Sequence, residues 1–353
     1  MNRRQILYGL IIGLAGSLIT PTPAHAAGKA IDYEAVNAAI VKDHLLPRYH
    51  GLTGKTAQLA QVAGTLCPDV APKTLDAVKT AFHDALDAWQ EIEHLRQGPP
   101  ATLEAHIRVK FWPDRRSLVD KHLARLMANK NPDILKPDVF GHVSIAVQGF
   151  PAMERLLFAD NAQTRLKDTT GPVSPCAVVQ AIAVNLHAIA RELETRWTRD
   201  PAAGRPAKRV TTDLFNDLAT GLGAVGDLKL GAALGSDGGY RPRRAENQLS
   251  GRALRNVAHN LVALEDLYDG LATAPAASLA GTPEDTLIRR QFTQLIADTK
   301  AMGPSIKALL KTDQDALRLK ELKGRILKLR EQVIVNVSAA LNLVLGFNAL
   351  DGD

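Results

Sequence analysis

Apolar residues recur at intervals of three and four along almost the whole chain, the period of amphipathic helices packed on a core. The last long segment shows it best: Leu322, Ile326, Leu329, Val333, Val337, Leu341 and Val344 share one face. The same spacing predicts helices near 31–66, 72–97, 114–128, 142–158, 175–199, 209–230, 251–270, 283–311 and 315–345. Pro72 and Pro283 stand where a first helical turn tolerates proline, while Gly98-Pro99-Pro100 and Gly270 read as stops. No alternating run bounded by turn signals reads as a strand. The pattern predicts an all-α fold of stacked helical bundles, two in number. The stretch 200–208, with Asp200-Pro201 and Gly204-Arg205-Pro206, marks the boundary, giving bundles over 27–203 and 204–353. A second irregular stretch, 231–250, is long enough for a functional loop.

The first residues break the pattern. Arg3 and Arg4 precede an apolar run from Ile6 to Ile19, then Thr-Pro-Thr-Pro and Ala24-His25-Ala26. That order is a secretory signal peptide over 1–26, with cleavage after Ala26. The run is short for a membrane span, which needs about 20 residues. No Cys follows it to take a lipid, and Arg3-Arg4 leaves twin-arginine export open. With no second long apolar run, a soluble mature protein in the periplasm or cell envelope is expected.

Composition sharpens this only a little. Hydrophobic residues at 46% supply a core for about 327 mature residues, and aromatics at 5% favour helix over sheet. The net charge of +6 falls to +4 without Arg3 and Arg4, and no Lys/Arg patch is interleaved with aromatics. Nucleic acid is therefore not an expected partner. Cys67 and Cys176 each sit beside a proline at a helix end; in an oxidising compartment two thiols read as one disulfide, and no CxxC argues for metal.

No HExxH, GxSxG or Walker pattern is present, and with no strand expected anywhere no glycine-rich turn stands in the strand-to-helix context of a Rossmann fingerprint. The chemistry lies instead in polar residues on apolar stripes. Val78, Phe82, Leu86 and Trp89 lead into Glu93 and Arg96, and a carboxylate there is costly unless paired. Glu93 either pairs with Arg96 or belongs to a polar pocket at the bundle end with His94. His83, Asp87, Glu91 and His94 share a helix side that reads as its wet face or a metal-binding stripe. Glu154 interrupts the stripe of Val147, Phe150, Leu157 and Phe158, and calls for a cationic or hydrogen-bonding partner, with Arg96, Arg115, Arg116 and the arginines around 241–255 as candidates. Pro151 fits a first turn after Gly149. Asp114 after Pro113 suits a helix cap, Trp112, Arg115 and Arg116 offer anion recognition, and Ser250 is a candidate N-cap before Arg252 and Asn256. Glu93, Arg96, Asp114, Arg115 or Arg116, and Glu154 are expected to converge near Ser250–Asn256.

These segments together resemble the imelysin family. The resemblance is carried by Trp89 with Glu93-His94-Leu-Arg96-Gln-Gly98-Pro99, by Phe111-Trp-Pro-Asp-Arg-Arg116, and by Val147-Gln-Gly-Phe-Pro-Ala-Met-Glu154. It continues through Ser250-Gly-Arg-Ala-Leu-Arg-Asn256 and the tail Leu345–Asp353. It implies a double four-helix-bundle fold with a polar site between the domains, a bacterial envelope location and an association with iron uptake. The family carries a metallopeptidase label and the signature Gly-x-His-x-x-Glu. Here Gly149 and Glu154 match, and Pro151 stands where the histidine would be, which removes the best transition-metal ligand. The resemblance thus implies a non-catalytic ligand- or partner-binding protein working with envelope iron-uptake components, with peripheral membrane contact left open. The alternative is a metal-dependent peptidase using Glu93, His94 and Glu154, with iron or another divalent metal on Glu154 and His94.

Overall fold

Helix starts follow from side chains that satisfy the first, orphaned backbone N–H groups. In the computed structural model, which describes residues 30–345 apart from 68–69, 203, 236–238, 275–276 and 278, Asp32 caps α1 (Tyr33–Ile40) and Ser174 caps α6 (Pro175–Arg199). Thr282 caps α9 (Pro283–Ala301), and Thr312 caps α10 (Asp313–Leu341). Between these lie α2 (Leu46–Ala63), α3 (Pro72–Gln90), α4 (Leu118–Met127), α5 (Phe150–Leu157), α7 (Ala207–Gly223) and α8 (Ala253–Ala272). One π-helical turn, Val41–Leu45, joins α1 to α2, and another, Ala224–Leu230, prolongs α7. No strand occurs among the described residues. Ala26 and its flanking signal sequence, and the tail beyond 345, lie outside the described residues.

The apolar stripes close into two rings of four helices. In the first, α2 packs on α3 and α6, and α5 on α3 and α6. Phe82, Trp89, Phe150, Val178 and Ile182 fill it. In the second, α8 packs on α7 and α9, and α10 on the same two, around Leu218, Leu264, Phe292, Ile326 and Leu329. The irregular stretch after Arg199 leads from one ring to the other. The helix α1 departs from the sequence boundary in its packing: it lies on α7 and α8. The Tyr33 hydroxyl donates to the Leu341 carbonyl at 2.9 Å, and Asn37 bonds both Ala207 and Thr211.

Several expected boundaries shift for local reasons. The helix expected over 72–97 ends at Gln90, and 91–94 turns instead. The helix expected over 142–158 is broken: Gly149 is extended, and Pro151 begins the first turn of α5, as expected. Gly270 is no stop. It sits inside α8, where a Cβ would come within 2.9 Å of Ile40, so its role is close packing against α1. Val344 follows the left-handed Asn342 and is exposed, outside the stripe assigned to it. Pro175–Arg199 is, among the described residues, the one helix long and apolar enough to cross a membrane, against the expectation of no such run. Its apolar window is 61% buried, because α6 packs on α2 and α5 within the first ring. Cys67 and Cys176 form a disulfide with Cα atoms 5.3 Å apart, tying the chain beyond α2 to the start of α6.

Candidate functional site

The turn after α3 and the segment before α4 bring charges into the seam between the rings. Glu93, Lys229 and Glu246 are buried there, Lys110 is largely so, and the four form a closed box of alternating sign. Lys110 bridges Glu93 and Glu246, the latter at 2.7 Å. Lys229 bridges the same pair at 2.7 and 2.8 Å, and also donates to Gln90 at 2.6 Å. Burial by itself would raise both carboxyls, but the two ammonium groups outweigh it and hold them below the usual range. The same balance raises Lys229. Glu93 is therefore paired with two lysines, not with Arg96. Arg96 contributes its backbone, whose N–H, with that of Gln97, holds the buried Asp217.

Two clefts flank this box and share Lys110, Phe111, Trp112 and Pro113. The larger, about 630 Å³, is walled by Leu86, Phe150 and Trp112 and rimmed by Asp114, Arg115, Arg243 and Arg244, with Glu154, Glu246 and Asn247 also lining it. The smaller, about 400 Å³, reaches Glu93, Arg96 and His106. Burial lowers the His106 imidazole to about 4, with Arg96 reinforcing the shift.

The residues singled out in the sequence divide among distinct positions. Trp112, Asp114, Arg115 and Glu154 line the larger cleft, and Glu93, Arg96 and Trp112 the smaller. Asp114 caps α4, accepting from Leu118 and Val119 N–H at 2.8 and 3.0 Å. Arg116 is exposed and lines neither cleft. Among the described residues Glu154 has no arginine partner. Its carboxylate accepts from the Ser250 N–H at 2.9 Å and the Ser250 hydroxyl at 2.6 Å. Burial nevertheless pushes the carboxyl up. Ser250 is thus no helix cap; Arg252 occupies that position without a side-chain cap. Asn256, fully buried, donates to Asn247 on the cleft wall at 2.9 Å. Gly149 is dictated by space: a Cβ there would lie 2.1 Å from the Val109 carbonyl oxygen.

The polar side of α3 faces α8 and its N-terminal turn, not open solvent. Arg252 and Arg255 clasp Asp87, His259 bonds Glu91 at 3.1 Å, and His83 packs against Phe82 and Phe158. His94 turns elsewhere, its Nε2 3.0 Å from Nε2 of His44, whose Nδ1 meets Asp266 at 2.8 Å. Burial lowers both imidazoles. Glu154 and His94 therefore have separate partners, and no group of three or more His, Cys, Asp or Glu side chains is arranged to hold a metal among the described residues. Sequence reasoning missed His44, Lys110, Lys229 and Glu246. Only Lys229 carried a signal, as an ammonium between Leu228 and Leu230 in an apolar helix.

Comparison with known proteins identifies the family and the fold. The family model described as imelysin matches residues 45–333. An iron-regulated protein A from Synechococcus elongatus is 25% identical over 245 residues, covering 64% of this chain. The chain spans 61% of that relative's length. The fold is shared with an imelysin-like protein from Psychrobacter arcticum at TM-score 0.73 and 19% identity, covering 90% of this chain and 99% of that one. A protein provisionally described as an iron-regulated protein A precursor, from Parabacteroides distasonis, aligns at TM-score 0.68 and 17% identity, covering 88% and 96%.

Proposed function

The chain belongs to the imelysin family, and from that premise we propose that it is an exported cell-envelope protein that binds a ligand or partner in the larger cleft without transforming it, as part of iron uptake. Export rests on the signal sequence ending at Ala26, and the link to iron on the name of the Synechococcus relative. The observation that carries the non-catalytic reading is the state of the signature motif. Gly149 serves packing, Pro151 replaces the imidazole and lines the cleft, and Glu154 spends its oxygen on Ser250. A zinc-type peptidase needs about three protein ligands and an activated water. Glu93, His94 and Glu154, which the peptidase reading requires, are bound to lysines, to His44 and to Ser250 respectively.

The test is genetic and biochemical together. A strain lacking the gene should grow poorly under iron limitation and recover with the wild-type gene. Glu154→Gln keeps an oxygen acceptor for Ser250, so it should cost little stability and still restore growth, whereas a peptidase that uses the Glu154 carboxylate as a metal ligand would be inactivated by it. Chelator-sensitive peptide hydrolysis by the purified protein would favour the peptidase instead.

A further inference from the structure

Every carboxylate lining the larger cleft is engaged by the protein itself. Asp114 caps α4, Glu154 accepts from Ser250, Asp227 pairs with Lys323 at 3.0 Å, and Glu246 belongs to the charge box. Three guanidinium groups on the same lining are not so engaged. Arg115, Arg243 and Arg244 are exposed and make no side-chain hydrogen bond or ion pair among the described residues. They come from both rings' connecting segments: Arg115 follows the Trp112-Pro113 turn, and Arg243 and Arg244 end the turn Pro242–Arg244. Asp114 and Glu154 keep their charge, since their partners are neutral donors, yet the lining's seven Lys and Arg side chains still outnumber its four carboxylates, beside the apolar wall of Phe150 and Trp112.

We infer that the larger cleft takes a small polycarboxylate anion, free or as its iron chelate, with Arg115, Arg243 and Arg244 as the residues that grip its carboxylates. This rests on reading the cleft as a binding site. A guanidinium presents two parallel N–H donors that match one carboxylate, which a lysine cannot reproduce. Three such forks suit a ligand with two or three carboxylates. The volume of about 630 Å³ falls within the range of small-molecule sites. An apolar wall strengthens each ionic contact by excluding water.

Isothermal titration of the purified protein with citrate, with ferric citrate, with inorganic phosphate and with a neutral ferric hydroxamate tests this. Citrate or ferric citrate should bind, and high salt should weaken it. Arg243→Ala/Arg244→Ala and Arg115→Ala should each lower affinity about tenfold or more; Arg244→Lys should lose part of it. The three side chains have no partners among the described residues, so thermal melting should not change, which separates lost binding from misfolding. Absence of citrate and ferric citrate binding, or binding indifferent to these variants, overturns the inference. Phosphate binding as tightly as citrate overturns the polycarboxylate assignment. Binding of the neutral chelate alone also overturns it while the binding-cleft reading stands. The growth of the deletion strain under iron limitation judges that reading separately.

Discussion

Lys229 is the residue whose removal most directly exposes how the seam is held. Its ammonium contacts Glu93 at 2.7 Å, Glu246 at 2.8 Å and Gln90 at 2.6 Å, with the side chain 4% exposed. Lys229→Met keeps the aliphatic stem and deletes the charge. Two carboxylates then face Lys110 alone, and the buried box carries one net negative charge. Hydrogen bonds to charged groups contribute about 1.5–3 kcal/mol each, so losing the two to carboxylates costs about 3–6 kcal/mol. Breaking one arm of a buried ion pair gives a similar figure, about 3–5 kcal/mol. The pH dependence is distinctive. In the wild type both carboxyls are held below their unfolded values. Their contribution is therefore complete above about pH 4.3 and is lost as pH falls through the folded values. In the variant one carboxyl, robbed of its counter-charge, titrates above its unfolded value and stabilises on taking a proton. The deficit should therefore narrow between neutral pH and about pH 5. Adding Glu246→Gln should restore neutrality and recover a large part of it. Urea unfolding at several pH values measures all three. A deficit below about 1 kcal/mol at neutral pH, or one that does not narrow in acid, would refute the argument.

Other consequences follow from single contacts. Gly149→Ala would drive a Cβ to 2.1 Å from the Val109 carbonyl and 2.5 Å from that of Arg108; both are backbone, so a loss above about 2 kcal/mol is expected in urea unfolding. The disulfide spans 109 residues, and replacing both cysteines by serine should cost about 2–5 kcal/mol, read as a lower melting temperature that reductant no longer affects. His44, His94 and His106 are held neutral by burial. Since their folded values lie below the unfolded value of 6.5, unfolded chains bind more protons in acid, and stability should fall from about pH 6.5 downward, for His106 until about 4. Replacing His94 by glutamine should flatten that slope, as a titration of melting temperature against pH would register.

The helical periodicity, the prolines at first turns, the pairing of the two cysteines and the family segments were all readable along the chain, because each depends on neighbours within a few residues or on compartment chemistry. Glu93 and Glu154 were recognisable as anomalies for the same reason: each interrupts an apolar stripe. Their partners were not. Glu93 was open between Arg96 and a polar pocket, and arginines were the named candidates for Glu154; the folded chain supplies Lys110, Lys229 and Ser250, because charge balance in a buried seam is decided by which helices cross there. The same holds for Asp87, a surface residue by local pattern until α8 brings Arg252 and Arg255 against it. His44 and His94 are fifty positions apart, and only the crossing of the α1–α2 junction with the end of α3 puts their nitrogens 3.0 Å from each other. Local periodicity determines which face of a helix is buried; the identity of what it meets there is a long-range property, settled when the two rings close on one another.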